Sequence, residues 1–370
     1  MTSPRITSRA GWSSAAGSSS KASSTPTSRS KDNIIRGPWA DGPWPLIETP
    51  SRSQHITHPA LHIANELAHT HNAMLRGLNA IYLQAPHVHQ PTDVSDLLFL
   101  TQSWSAWVLD HHNVKETSML PGFEAVLGLP AGSLTSTSST PPGATNGNTN
   151  GNGHDNEAAE IQSLLQNVHG YAASTQAQPH TYSPATLTDL LAALGTPLAT
   201  LLAAQIPLLV SMRDLSHSAT SPGIPALAIS SSPLSPFPTP QHPTPSPGRG
   251  GGEDRANKLL QVFLGCETAA SDAMDRFVVP PMVVRLRDAT AGGGGGIGGG
   301  GGGGDEWPRL SVLAVHAVAD KLSPRHAGAW RFLPCDVWGR PRELAFLGRE
   351  EKGKGKDGDG DGDGDRGGVR

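Results

Sequence analysis

Cysteine is nearly absent: Cys266 and Cys335 are the only two in 370 residues, and they lie far apart. Two distant thiols make no disulfide framework, and a reducing compartment fits them. No Asn-x-Ser/Thr acceptor occurs. No uninterrupted apolar run approaches the roughly 20 residues that a membrane helix needs, and no apolar-centred signal peptide opens the chain. Net charge is only −4, which gives no electrostatic case for nucleic acid or an anionic membrane. Also missing are a nucleophile beside a base, a phosphate loop opening a helix, and a cofactor fingerprint. These absences point away from catalysis.

In excess are glycine and proline, 43 and 32 residues, gathered in tracts that cannot pack. With the tracts set aside, about 200 residues remain to build a core, the size of one domain plus an appendage. The expected organisation begins with a disordered tail over 1–36. A helical bundle follows over 37–216, with a disordered insertion at 132–153, then a Pro/Ser-rich linker over 217–252. Residues 253–348 read as a C-terminal helix and an aromatic segment packed on the bundle, interrupted by a glycine tract at 292–304; 349–370 read as a disordered charged tail. The Ser-rich, acid-free N-terminus has the composition of a mitochondrial transit peptide but too few apolar residues for an amphipathic face. The expected location is cytoplasmic. The Asp-Gly alternation at 357–365 lacks the closing bidentate glutamate of a calcium loop and reads as solvated tail.

Four segments carry apolar residues at helical spacing. Residues 59–83 align Ala64, Leu67, His71, Met74, Leu75, Leu78 and Ile81. Residues 92–127 align Leu97, Leu100, Trp104, Trp107, Val108, His111 and Val114, with Thr92 as the expected N-cap and a break expected at Pro121 and Gly122. Residues 154–174 align Ala158, Ile161, Leu165, Val168 and Ala172. Residues 183–215 start on Ser183 and Pro184, a cap followed by proline. They align Leu187, Leu190, Leu194, Leu198, Leu201, Gln205, Leu208 and Met212, and Pro207 should kink the helix or remove a backbone bond. Four such stripes predict an all-α fold, a four-helix up-down bundle. A fifth helix over 253–277 and an ordered, non-helical aromatic stretch over 326–346 would pack on it. Proline-punctuated residues 37–51 read as extended chain lying across the bundle.

Periodicity turns His71 and His111 inward, and His154 lies one turn before Ala158 in line with the third stripe. Three imidazoles from three helices can form a bundle metal site; they can equally be three separate buried histidines. His112 and Glu116, four apart beside the stripe, form either a chelating pair or an exposed pair worth a few tenths of a kcal/mol. His69 lies off the stripe, and His55, His58, His62, His87 and His89 read as solvated.

The stretches AHTHNAMLRGLNAIYLQAPHV, FLTQSWSAWVLDHHNVKETSMLPGFE and GAWRFLPCDVWGRPRELAF resemble the fungal branch of the hemerythrin-like, HHE cation-binding family. The likeness covers roughly residues 38–128, 154–215 and 256–346. It implies a four-helix bundle holding a non-haem di-iron centre between histidine and carboxylate ligands. On that pattern His71 and His111 match the histidines of the first two helices. The second-helix motif continues with two acids, and here they read Lys115 and Glu116. Counting back from Pro121 pairs His111 with position 115, where the ligand is lost; a register one residue later pairs His112 with Glu116. His154 matches the start of the third-helix motif, but its partner would be Ala158. The fourth-helix histidine and glutamate fall on Leu201 and Gln205.

A di-iron centre needs carboxylates to bridge its metals and offset their charge, and only Glu116 remains. The Lys115 ammonium beside it would repel a cation and could pair with Glu116 instead. The expectation is a non-enzymatic hemerythrin-like protein with vestigial or weak metal binding. Its candidate ligands, for weakly held iron or zinc, are His71, His111, His112, Glu116 and His154. One alternative is a functional iron- or cation-binding sensor of oxygen or metal. Another is an interaction protein that docks an unidentified protein partner through Pro-rich residues 221–248, since such runs suit aromatic grooves. Neither a nucleic-acid nor a membrane partner is expected.

Overall fold

A computed structural model of the chain describes residues 40–134, 155–217, 250–287, 307–308 and 310–347. The expected tails, the glycine tract, the Pro-rich docking segment and His154 lie outside these residues. Among the described residues the regular structure is helical, apart from one isolated antiparallel bridge between Cys335 and Pro341.

The first long helix, α1, is Pro59–Gln84. Its start is fixed by Pro59 and by His58, whose Nδ1 accepts the Ala60 N–H at 3.1 Å. His58 is therefore a helix cap and not the solvated loop residue its position suggested. Helix α2 is Pro91–Val114. Its cap position is Gln90 and not Thr92, because a proline whose φ is already helical and whose missing N–H costs nothing there takes the first turn.

The chain does not break at Pro121 and Gly122. It widens into a π-helical stretch, Lys115–Met119, and continues as α3, Leu120–Leu127. Pro121 has no N–H to give, and its ring would crowd the carbonyl one turn back. A wider turn immediately before it accommodates both problems. Helix α3 ends at Gly128 in the left-handed conformation, with φ 70°.

Helix α4 is Asp155–Ala177 and α5 is Pro184–His217. Ser183 caps α5 through its Oγ, which accepts the Thr186 N–H at 3.2 Å. The helix runs unbroken across Pro197 and Pro207. The carbonyls that these prolines cannot satisfy belong to Ala193 and Ala203, both exposed, where water can satisfy them. By length and composition α5 could cross a membrane: its most apolar 18-residue window has a mean hydropathy of 1.7. Counting uninterrupted apolar residues missed this, because Thr and Gln punctuate the run. In this fold 44% of that window is buried inside the protein.

Helix α1 packs on α2 and α5, α2 also on α4, and α4 also on α5. Each of the four thus touches two of the others. A fifth helix, α6 (Gly250–Ala273), packs on α1, α3 and α5. The buried side chains form two large clusters. One joins the C-terminal half of α1 to α2, α4 and the first half of α5, through Leu75, Leu78, Leu97, Trp104, Leu165 and Leu194. The other joins the N-terminal half of α1 to α3, α6 and the second half of α5, through Ile63, Leu67, Phe123, Met212 and Phe263.

Residues 40–51 lie along α1, held by a ladder of asparagines. Asn65, Asn72 and Asn79 accept the backbone N–H groups of Ser51, Ile47 and Trp44 at 3.0, 2.7 and 3.1 Å. The spacing of seven keeps all three on one face of the helix. Trp44 then lies against Gly195 of α5, where an added Cβ would come within 2.0 Å of its ring.

The C-terminal segment is more helical than expected, with short turns at Val312–Ala317 and Ala327–Trp330. It contributes Trp330, Phe332, Leu333 and Phe346 to the first core. Arg331 anchors it to the start of α2 through Asp93 at 2.6 Å and Asp96 at 2.8 Å.

Candidate functional site

Where the two apolar clusters meet, the helices bring polar residues inward. His71 is fully buried, Lys115 is 2% exposed and Gln205 is 4% exposed. On α1, Ala68 belongs to one cluster and Ala73 to the other, with His71 between them. On α5, Leu202 and Ile206 bracket Gln205 in the same way. Lys115 opens the π-helical stretch between Val108 and Met119. The inward stripe of the second helix therefore ends on Lys115 and not on Val114, which is half-buried.

His71 and His111 meet edge to face, with ring centroids 5.5 Å apart and planes at 89°. His71 Nδ1 lies 3.0 Å from the Leu202 carbonyl oxygen. It must donate there, which leaves Nε2 as the lone-pair nitrogen of a neutral ring. His111 keeps some exposed surface, but its Nε2 is sealed from solvent. Neither Nε2 has a hydrogen-bond partner among the described residues. Burial, followed by the charges of His111 and Lys115, pushes the His71 pKa well below the ordinary imidazole range. Burial and the Lys115 charge lower that of His111 to about 3. Both rings are neutral at pH 7.

A small cavity adjoins the pair, with room for about one water molecule. His111, His112 and Lys115 form its polar side, and Met74, Ile161, Leu165, Leu198, Leu201 and Leu202 are on its apolar side. His112 thus lines the cavity itself, where helical spacing had placed it to one side. Its pKa is lowered by burial and by Lys115, with Glu116 opposing. Lys115 Nζ pairs with Glu116 Oε1 at 3.3 Å. Burial lowers the Lys115 pKa to about 8, the pairing with Glu116 acting in the other direction.

Of the five candidate ligands, the structure brings His71, His111 and His112 around or beside this cavity and turns Glu116 toward Lys115. His154 lies outside the described residues. Ala158 is half-buried, and Leu201 occupies the cavity wall. Among the described residues no group of three or more His, Cys, Asp or Glu converges as a metal ligand set. His69, which lies off the inward stripe, is half-buried with its ring stacked on Trp307 at 6.1 Å. Glu124, which closes the conspicuous second-helix stretch, is 3% exposed and holds the following loop. It accepts the N–H groups of Gly132 and Leu134 at 3.0 and 2.7 Å.

No family model matches the chain. A whole-length likeness is found nevertheless. The chain is 24% identical over 325 residues to the dimeric xanthone biosynthesis cluster protein R11 of Cryptosporiopsis sp. (strain 8999), covering 87% of this chain and 98% of that protein. No solved structure matches.

Proposed function

We propose that this chain is a non-catalytic accessory protein built on a hemerythrin-like four-helix up-down bundle, with a metal centre that is vestigial or weak. The cyclic packing of α1, α2, α4 and α5 supports the bundle reading. The likeness to R11, whose name ties that protein to a biosynthesis cluster for dimeric xanthones, supports a role beside enzymes of secondary metabolism.

The observation that carries the reading is Lys115, buried at the cavity and paired with the partly exposed Glu116. A di-iron centre would need carboxylates between the metals, and the residues present do not fit one. Position 115 holds an ammonium, its neighbouring carboxylate is engaged with that ammonium, and Leu201 and Gln205 stand on the fourth helix of the bundle. A second reading, a weak mononuclear iron or zinc site, draws on the two sealed Nε2 atoms of His71 and His111.

The test is elemental analysis of protein expressed with ample iron, alongside His71→Ala and His111→Ala. Well under one metal ion per chain is expected in all three. Two irons per chain that disappear in both variants would overturn the reading. One weakly held ion lost in both would select the second reading.

A further inference from the structure

Resting on that reading, we infer that Lys115 is a tethered stand-in for a cation, and that this one side chain keeps divalent metal out of the His71–His111 layer. The layer is otherwise prepared for a ligand. Two imidazoles from two helices meet at 5.5 Å, both have a sealed and unpartnered Nε2, and His71 is fixed by the Leu202 carbonyl so that its lone pair lies on Nε2. Imidazole nitrogen of this kind is a ligand for zinc, cobalt and iron. Lys115 stands with His111 and His112 on the polar side of the cavity that adjoins the pair.

Lys115 lines the same cavity as His111, whose ring meets that of His71. A divalent ion on those rings would face an ammonium across a low-dielectric space, where like charges repel strongly. Glu116, the acid of the same turn, spends its charge on Lys115 at 3.3 Å. The pair thus supplies within one chain what a metal and its carboxylate would otherwise supply: a cation inside the bundle and an anion beside it. Among the described residues no third His, Cys, Asp or Glu joins the two imidazoles in a ligand set.

The experiment is Co(II) titration of the full-length chain and two variants, read by visible absorption and by metal content after gel filtration. Lys115→Glu removes the ammonium and adds a carboxylate; Lys115→His removes it and adds a neutral ligand. The wild type should take up no stoichiometric cobalt. Whichever variant retains wild-type helical circular dichroism should bind one Co(II) per chain, at least about tenfold tighter than wild type. That binding should vanish when His111→Ala is added.

A folded Lys115→Glu or Lys115→His chain that binds cobalt no better than wild type overturns the inference. So does stoichiometric cobalt in the wild type, which is measurable whether or not either variant folds. Two native irons per wild-type chain would sink the proposed function as well. A metal-free wild type with silent, folded variants would sink only this inference.

Discussion

At the scale of single residues, the polar layer is the feature with measurable consequences. His111 has a folded-state pKa of about 3, against 6.5 for an unburied imidazole. As pH falls through 6.5 the unfolded chain takes up the proton first, so the unfolded state gains. The contribution of the neutral buried ring is complete above pH 6.5 and is lost progressively as pH falls toward 3, with a slope of up to about 1.4 kcal/mol per pH unit for each such group. His71 shifts in the same direction and adds to it. Urea unfolding at pH 7 and pH 5 should therefore show a larger loss of stability for the wild type than for His111→Leu. Equal losses would count against the neutral buried ring.

Gly77 offers a second residue-scale test. A Cβ there would come within 2.4 Å of the Trp104 ring. Trp104 cannot retreat easily, since it is fully buried and its Nε1 donates to the Met74 carbonyl at 3.0 Å. Gly77→Ala should destabilise the fold by about 1–3 kcal/mol, as overpacking does, and chemical denaturation would measure it. Helical spacing made the inward position of Trp104 legible. It could not show that the facing residue must be glycine, because the close approach belongs to two helices at once.

At the scale of elements, the asparagine ladder ties the 40–51 segment to α1. Asn72 both accepts the Ile47 N–H at 2.7 Å and donates to the Ile47 carbonyl at 2.9 Å. Asn72→Ala leaves the Ile47 N–H and the Ile47 carbonyl, which belong to successive peptide groups, without these bonds, which should cost about 1–3 kcal/mol. Amide hydrogen exchange at Trp44, Ile47 and Ser51 would locate the loss, with the rise concentrated at Ile47. Three asparagines seven apart were visible in the chain, but they bond to backbone atoms, and no side-chain pattern in residues 40–51 announces them. The π-helical stretch was hidden for a different reason. One extra residue in a turn rotates everything after it by about 100°, so the stripe of α2 could not predict which residues of α3 face inward.

At the scale of the whole molecule, the segments beyond the first five helices are structural members. Helix α6 completes the second core with Leu259 and Phe263, and residues 330–346 help to close the first. The Arg331 ion pairs with Asp93 and Asp96 are partly exposed, so solvent screening reduces their worth. Arg331→Ala should lower stability by about 1 kcal/mol through those pairs. Ending the chain before residue 310 should do far more, because it strips Trp330, Phe332 and Leu333 from a closed core. Thermal unfolding followed by circular dichroism should then lose its cooperative transition; a truncated chain that still melted sharply would show that the helical core closes without this segment.

The amino-acid order by itself determined the helical class, most of the inward stripes, and the turns of His71 and His111 toward the interior. Each follows from local periodicity or from residue type, and none needs a partner. Tertiary structure decided the rest. It carried the inward stripe of α2 on to Lys115, placed His112 on the cavity wall, and sealed the two Nε2 atoms from solvent. Those outcomes depend on which helix faces which, and burial and pairing exist only once distant segments have met.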